Sequence, residues 1–135
     1  MTSPGPLVIV VDDDASVRRS LDRLLRSAGY TVETFTSARA FLDRGDYEAA
    51  DCLVLDVRMP GQSGLDLQSF LGKAGYDVPI LFITGHGDVP MAVRAIKAGA
   101  VDFLAKPFDD DEFLAAVQEA TARPRTRRSA DADRN

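Results

Sequence analysis

The sequence has few of the residues that build disulfides or soft-metal sites. Its 135 residues include one cysteine and one histidine. A single cysteine cannot form an internal disulfide, which favours a reducing compartment. Cys52 lies in an apolar stretch, and we interpret it as a small core residue. His86 has no cysteine or second histidine nearby in the sequence, so we do not expect it to bind a metal.

Long apolar segments are also missing. The longest apolar run, residues 78–83, contains a proline and is far shorter than the roughly 20 residues that a membrane-spanning helix needs. The N-terminal residues have neither a basic region nor an apolar stretch behind them, so they do not resemble a signal peptide. From these absences we expect a cytoplasmic protein that does not associate with membranes.

Positive charge is scarce over most of the chain. The net charge is -5, yet five arginines and two aspartates from residue 123 onward give the C-terminal segment +3, which leaves -8 for residues 1–122. An acidic body argues against direct nucleic-acid binding by this chain. We expect residues 1–6 to be disordered, and residues 122–135 to be a disordered basic tail or a truncated linker.

Apolar runs alternate with segments of helical periodicity along residues 7–121, which we interpret as one domain. We predict strands at residues 7–11, 31–35, 52–56, 78–84 and 101–105, and helices at 15–28, 38–44, 64–74, 88–98 and 109–121. Four consecutive apolar residues in the third strand are typical of a strand buried on both faces of a parallel sheet. Five βα units predict a doubly wound, flavodoxin-like α/β fold with a five-stranded parallel sheet in the order 2-1-3-4-5.

Acidic residues follow two strands that this order makes neighbours. Asp12 and Asp13 close the first strand, and Asp56 closes the third. Taken alone, Asp56 is as well explained as a loop cap, but the strand order predicts that the three carboxylates converge. Like charges held that close raise a pKa or recruit a cation. Oxygen ligands with room for water suit Mg²⁺.

Two further polar residues follow the fourth and fifth strands. Thr84 offers a hydroxyl and Lys106 an ammonium group. Carboxylates, a divalent ion, a hydroxyl and an ammonium around one point form a site for a transferred phosphoryl group. Two simpler interpretations stay open: Thr84 merely ends its strand, and Lys106 is a solvated surface lysine.

These residues resemble those of the receiver domain of two-component response regulators, over residues 7 to about 121. The matching segments are VVDDD at 10–14, LDVRMPG at 55–61 with Gly64, FITG at 82–85 and FLAKPF at 103–108. The segment TGHGDVPMA at 84–92 is similar to the FixJ/NodW type of regulator. Each segment alone is weak, but all four in order, each at a predicted strand end, give a specific pattern.

The resemblance implies a role for each acidic residue. Asp56 is expected to accept a phosphoryl group from a sensor histidine kinase or from a small phosphodonor. Asp13, Asp56 and the backbone carbonyl of Arg58 are expected to bind Mg²⁺, with Asp12 acting partly through water. The family functions in bacterial two-component phosphorelay signalling and transcription regulation, and we expect no enzymatic activity beyond self-catalysed phosphotransfer and autodephosphorylation.

The resemblance also implies a switch. Thr84 and Lys106 are expected to contact the phosphoryl oxygens, and Phe103 occupies the position of the family's aromatic switch, with a plain core residue as the alternative interpretation. Movement of these residues would remodel the surface of the fourth helix, fifth strand and fifth helix, for homodimerisation on phosphorylation or for binding a downstream protein. Arg58 and His86 flank the path of the hydrolytic water, and we hypothesise that they tune the phosphoryl lifetime. For His86, an exposed loop residue is an equal alternative.

Two rival functions remain at this point. A phosphatase with an aspartyl nucleophile uses a similar sheet, but such enzymes usually place a second acid two residues after the nucleophile, where this chain has Arg58. A flavin-binding protein is a weaker rival, because Asp12, Asp13 and Asp14 would repel a phosphate. Relatives of this type usually carry a DNA-binding domain after the receiver, and nothing after Thr121 shows helical periodicity.

Overall fold

A computed structural model describes residues 5–59, 61, 63–85 and 89–124. The strands are β1 (Leu7–Val11), β2 (Thr31–Phe35), β3 (Cys52–Asp56), β4 (Ile80–Thr84) and β5 (Asp102–Ala105). The helices are α1 (Ala15–Ser27), α2 (Ala38–Arg44), α3 (Gly64–Lys73), α4 (Val89–Lys97) and α5 (Asp110–Ala122), with a short 3-10 helix at Tyr47–Ala49. Strands and helices alternate along the chain, as the sequence predicts.

The five strands form one parallel sheet in the order β2-β1-β3-β4-β5. This confirms the predicted doubly wound fold. Every residue of β3 and β4 is buried, because both faces of these central strands are covered by helices. The apolar runs that end at Asp56 and Thr84 therefore carry these two polar residues to the edge of a dry core.

Three helices cover one face of the sheet and two helices cover the other. On one face, strand residues pack with α2, α3 and α4 around buried side chains such as Phe41, Leu67, Leu71, Phe82 and Ala95. On the other face, strand residues pack with α1 and α5 around buried side chains such as Leu21, Leu25, Phe113, Val117 and Ala120. Both layers hold the carboxyl ends of β1, β3, β4 and β5 at one edge, where parallel α/β sheets place their functional loops.

Side-chain caps fix two of the helices that begin at this edge. The Asp14 carboxylate accepts hydrogen bonds from the backbone N–H groups of Ser16 (2.8 Å) and Val17 (3.3 Å), and so caps α1. Ser63 and Asp66 form a reciprocal capping box at the start of α3. The loops after β1 and β3 are therefore held at both ends.

Several predicted boundaries differ from the structure by one or two residues. Strand β4 begins at Ile80 and not at residue 78, because Pro79 has no N–H to donate to a neighbouring strand. Helix α1 ends at Ser27, one residue before its predicted end, and Ala28 is its exposed C-cap. The 3-10 helix at Tyr47–Ala49 was not predicted.

The predicted disorder of the chain ends falls mostly outside the described residues, which exclude 1–4 and 125–135. Within the described part, Thr31 donates hydrogen bonds to the carbonyls of Pro6 (3.1 Å, from its N–H) and Gly5 (3.1 Å, from its hydroxyl). None of the helices in that part is both long and apolar enough to cross a bilayer.

Candidate functional site

Three carboxylates meet beyond the carboxyl ends of β1 and β3. Val11 of β1 lies opposite Leu55 of β3. The residues that follow them, Asp12 and Asp56, therefore lie side by side. One carboxylate oxygen from each of Asp12, Asp13 and Asp56 lies within 4.8 Å of the other two. An all-oxygen donor set of this kind suits a hard divalent cation such as Mg²⁺.

Asp12 is fully buried and its polar atoms all have partners. Its N–H donates to the carbonyl of Phe35 (3.2 Å), and its carbonyl accepts from Nη1 of Arg18 (2.6 Å). Its Oδ1 accepts from the N–H of Asp14 (2.9 Å), and its Oδ2 pairs with Nζ of Lys106 (3.3 Å). Such complete bonding fixes the direction of this carboxylate.

Asp13 differs from its neighbour because its side chain is exposed. Within the described residues, its carboxylate forms no hydrogen bond and no ion pair. Its oxygens therefore remain available to a cation from solvent.

Asp56 is the last residue of β3 and is 8% exposed. Its Oδ1 accepts a hydrogen bond from the backbone N–H of Arg58 (3.1 Å). Burial raises the pKa of the Asp56 carboxyl above its ordinary value, and the negative charges of Asp12 and Asp13 add to this rise. The hydrogen bond from Arg58 and the charge of Lys106 act in the opposite direction but do not cancel it.

Lys106 follows β5 and reaches two of the carboxylates. Its Nζ lies 3.3 Å from Oδ2 of Asp12 and 3.8 Å from Oδ2 of Asp56, and its side chain is 24% exposed. Lys106 is therefore part of the acidic site and not a solvated surface lysine. Its peptide bond to Pro107 is cis.

Thr84 is buried at the end of β4, and its carbonyl accepts a hydrogen bond from the N–H of Lys106 (2.7 Å). In the sheet, Ile83 lies opposite Asp56, so β4 extends one residue further than β3 and ends at Thr84. Phe103 faces the layer of α4 and is half-buried, with its ring centroid 6.3 Å from that of Phe82. This placement suits both of the interpretations that the sequence leaves open for Phe103.

The two residues that we predicted to tune the phosphoryl lifetime are placed differently. Arg58 is exposed, and its Nη2 lies 3.7 Å from Sδ of Met91 in the first turn of α4. Its side chain thus connects the loop after β3 to α4. His86 lies outside the described residues.

Gly64 allows a close approach between α3 and the pocket. A Cβ atom at this position would lie 2.5 Å from the backbone carbonyl oxygen of Asp56 and 3.0 Å from Cε1 of Phe82. The N–H of Gly64 donates to the carbonyl of Val57 (3.0 Å). A larger residue at position 64 would therefore clash with the end of β3, which explains why the motif has a glycine there.

Sequence reasoning missed two residues that contact the site. Arg18 binds the carbonyl of Asp12, and Met91 lies against Arg58. The signal for Arg18 was available, because an arginine one turn into a helix that begins at an acidic loop can reach back to that loop. Nothing in the sequence pattern indicated the contact of Met91, which depends on how α4 packs.

Comparisons with known proteins identify the family to which the chain belongs. The family profile described as "Response regulator receiver domain" matches residues 8–118. Nodulation protein W of Bradyrhizobium diazoefficiens is 57% identical over 128 residues, which cover 95% of this chain and 56% of that protein. The transcriptional regulatory protein FixJ of Azorhizobium caulinodans is 53% identical over 116 residues, which cover 86% of this chain and 55% of that protein. The chain thus spans about half the length of these curated relatives.

A solved structure has the same fold. The crystal structure titled FixJ-N superposes with a TM-score of 0.81 at 42% identity, and the match covers 93% of this chain and 99% of that one. The predicted fold class and the resemblance to FixJ/NodW-type receivers are confirmed.

Proposed function

Since the chain belongs to the response regulator receiver domain family, we propose that Asp56 is its phosphoacceptor. The observation that carries the proposal is the position of this carboxylate. Asp56 is nearly buried at the end of β3, between the acids that follow β1 and the ammonium group of Lys106. An anionic nucleophile with a cation beside it suits attack on a phosphoryl group.

In the proposed reaction, a carboxylate oxygen of Asp56 attacks the phosphorus atom of the donor. A new oxygen–phosphorus bond forms, the bond from phosphorus to the donor breaks, and its electron pair leaves with the donor. Lys106 lies 3.8 Å from Oδ2 of Asp56, close enough to stabilise charge on the incoming phosphoryl oxygens. Thr84 supplies the hydroxyl for a further contact with those oxygens.

We assign Asp13, Asp56 and the backbone carbonyl of Arg58 as the groups that would hold Mg²⁺, with Asp12 acting partly through water. The bonding of Asp12 supports this division, since both of its carboxylate oxygens already have partners, whereas Asp13 is exposed. When bound, the ion would neutralise part of the negative charge on the transferred phosphoryl group. The family and the cluster of three carboxylates support the assignment.

We further propose that phosphorylation changes the surface formed by α4, β5 and α5. An acyl phosphate would bring about -1.5 to -2 charges to Asp56, and Thr84 would gain a hydrogen bond by moving towards it. Phe103, on β5, would then turn inward. Val93 and Ile96 of α4 are each 45% exposed, and this apolar surface supports homodimerisation or the binding of a downstream protein.

We also propose that Arg58 influences how long the phosphoryl group survives. Its backbone N–H contacts Asp56 and its side chain reaches Met91, so the residue lies beside the carboxylate that a hydrolytic water would have to reach. For His86 the same role remains a prediction from the family pattern. Arg58→Ala is expected to change the decay rate of the phosphoprotein, measured by intact mass over time, and an unchanged rate would reject this role.

The partner that supplies the phosphoryl group is proposed from the family, which implies a sensor histidine kinase. The relatives named above are a nodulation protein and a transcriptional regulatory protein. A role of this chain in transcription regulation within a bacterial two-component system follows only as part of this proposal.

One experiment tests the phosphoacceptor role. The protein is incubated with Mg²⁺ and a small acyl phosphate, and its intact mass is measured. We expect stoichiometric addition of one phosphoryl group to the wild type and none to Asp56→Asn. A folded wild-type protein that gains no mass would contradict the proposal, and continuous turnover of phosphate esters would favour the aspartyl phosphatase instead.

A second experiment tests the switching surface. Light scattering of the phosphorylated and unphosphorylated protein should show a larger mass only after phosphorylation. Ile96→Ser should reduce this change, whereas Phe70→Ser, which removes another exposed apolar side chain (41% exposed) from α3, should not. Equal effects of the two variants would reject α4 as part of the dimer surface.

A further inference from the structure

We propose that Arg18 is a positioning residue of the acidic pocket. Its guanidinium group fixes the peptide unit between Asp12 and Asp13, and so sets the direction in which Asp13 presents its carboxylate. This inference rests on the proposed function, in which the pocket binds Mg²⁺ and Asp56 accepts a phosphoryl group.

The central observation is one hydrogen bond. Nη1 of Arg18 donates to the backbone carbonyl of Asp12 at 2.6 Å, a short distance that is typical of charge-assisted bonds. That carbonyl belongs to the same planar peptide unit as the N–H of Asp13. Holding the oxygen therefore restricts the rotation of the whole unit, and with it the position of the Asp13 Cα atom.

The other polar groups of the turn after β1 already have partners, and Arg18 restrains the peptide unit between Asp12 and Asp13. The N–H of Asp12 is bound to Phe35, and its Oδ1 is bound to the N–H of Asp14. Asp14 in turn caps α1. Among the described residues, Arg18 is the partner that the structure gives to the carbonyl between these two fixed points.

Arg18 is itself held by a firmly packed helix. Leu21 and Leu25 of α1 are buried against the sheet, with 5% and 0% exposure. Arg18 is half-buried, and its own N–H donates to the carbonyl of Asp14 within the first turn (3.0 Å). The guanidinium group thus transfers the rigidity of α1 to the loop that carries the acids.

Asp13 needs such support from its backbone. Its carboxylate is exposed and, within the described part of the chain, has no hydrogen bond or ion pair. It also lies next to Asp12 and Asp56, whose negative charges would drive it away from the pocket. A fixed backbone at this position keeps an oxygen ligand in place before any cation arrives.

A purely electrostatic role for Arg18 makes the opposite prediction. If the guanidinium acted only through its charge, removing it would make the pocket more negative and would strengthen Mg²⁺ binding. If it positions Asp13, removing it weakens Mg²⁺ binding, since residues that orient metal ligands typically contribute about 10- to 100-fold in affinity. The sign of the change therefore separates the two roles.

The test compares Arg18→Met, Arg18→Lys and the control Arg19→Met, which removes an equal charge from an exposed position on the same helix. Mg²⁺ affinity is measured by isothermal titration calorimetry, and thermal unfolding shows that each variant is folded. We expect Arg18→Met to bind Mg²⁺ about 10-fold more weakly, Arg18→Lys to regain most of the affinity, and Arg19→Met to match the wild type. If Arg18→Met does not fold, Arg18→Gln takes its place, because the shorter side chain also loses the contact with the Asp12 carbonyl.

Equal or tighter Mg²⁺ binding by the folded Arg18→Met variant would overturn the inference. Failure of the proposed function gives a different result: the wild type itself would bind no Mg²⁺ or gain no phosphoryl group. A wild type that is phosphorylated normally, together with an Arg18→Met variant that binds Mg²⁺ equally well, rejects only the role of Arg18.

Discussion

Helices α1 and α4 both lie beside the functional edge of the sheet, but they are attached to it in different ways. Helix α1 buries Leu21 and Leu25 in the core that it shares with α5. In α4, Ala95 is the one fully buried side chain among those that the structure describes, and Val93 and Ile96 are each 45% exposed. One helix is anchored by large apolar side chains and the other mainly by a small one.

Polar contacts compensate in part for the weak packing of α4. Nε2 of Gln68, a buried residue of α3, donates to the carbonyl of Ala95 (3.0 Å), and Arg58 reaches Met91 (3.7 Å). An open surface groove of about 540 Å³, lined by residues such as Leu65 and Arg94, lies between α3 and α4. Directional contacts of this kind are lost by a small displacement, whereas apolar burial changes gradually.

The two sides of the domain are therefore suited to different roles. The firmly packed side holds Asp12, Asp13 and Lys106, whose positions the proposed chemistry requires within a fraction of an ångström. The loosely packed side holds α4, which the proposed switch requires to move. Elements that move in regulation are generally drawn from the least stable parts of a protein.

The largest expected effect contrasts the two layers directly. Phe113 of α5 is fully buried and stacks on Phe108 with ring centroids 5.5 Å apart. Phe113→Ala should lower the free energy of unfolding by about 3–5 kcal/mol, measured by urea denaturation. Ile96→Ala in α4 should change it by no more than about 0.5 kcal/mol, and a loss of similar size in both variants would show that α4 is as firmly anchored as α5.

The next effect tests how tightly α3 is held against the pocket. Gly64→Ala places a methyl group 2.5 Å from the carbonyl oxygen of Asp56 and should cost about 1–3 kcal/mol of unfolding free energy. Gly72→Ala is the control in the same helix, because nothing lies within 4 Å of a Cβ there. The Gly72→Ala variant should be more stable than the wild type by about 0.5–1 kcal/mol. A Gly64→Ala variant as stable as the wild type would contradict the prediction, because it would show that the loop after β3 can move to make room for the methyl group.

A smaller loss of stability is expected when the attachment of α4 to α3 is weakened. Gln68→Leu removes the hydrogen bond to the Ala95 carbonyl, which still accepts from the N–H of Ala100 (3.0 Å). We expect a loss of about 0.5–1.5 kcal/mol and faster hydrogen exchange at the backbone amides of α4, with α1 unchanged. The exposed neighbour Ser69→Ala serves as the control, and equal exchange rates in both variants would show that Gln68 does not hold α4.

The last effect is a dependence on pH within the pocket itself. The pKa of Asp56 is raised, chiefly by burial, so the folded protein holds a proton there more readily than the unfolded chain does. Stability from this group is present at low pH and is lost as the pH rises through the interval between the unfolded and folded pKa values. Without Mg²⁺, Asp56→Asn should therefore be more stable than the wild type at neutral pH, and the difference should disappear in acid.

Thermal unfolding across pH measures this difference. Asp43→Asn, which removes an exposed carboxylate paired with Arg39, controls for the loss of one negative charge. A wild type that is as stable as Asp56→Asn at neutral pH would contradict the unfavourable burial of the Asp56 charge.

The sequence predicted the fold because its main signals are local. Consecutive apolar residues specify buried strands, and caps such as Asp14 and Ser37 specify helix starts. Some boundaries were wrong: for example, Pro79 shortens β4, and α1 ends at Ser27, one residue before its predicted end. The strand order was also accessible, since five βα units leave few topologies.

The candidate site could be predicted in part for the same reason. Asp12, Asp56, Thr84 and Lys106 each follow a strand, and parallel strands bring their carboxyl ends to one edge. The pairing of Lys106 with Asp12 joins residues 94 positions apart, and the sequence indicates only that both reach this edge. Which of the carboxylates the ammonium group approaches more closely depends on side-chain packing, and sequence periodicity does not encode it.

The amino-acid sequence by itself determined the alternation of strands and helices, the polar residues at the strand ends and the acidic character of the site, because these follow from short-range pattern and composition. Only the tertiary structure decided that Asp12 is fully bonded while Asp13 is exposed, that Arg18 reaches back to the pocket, and that α4 is held by Gln68. These features depend on how closely helices approach the sheet and one another. That approach is fixed by the packing of many side chains together, and no single segment of the chain specifies it.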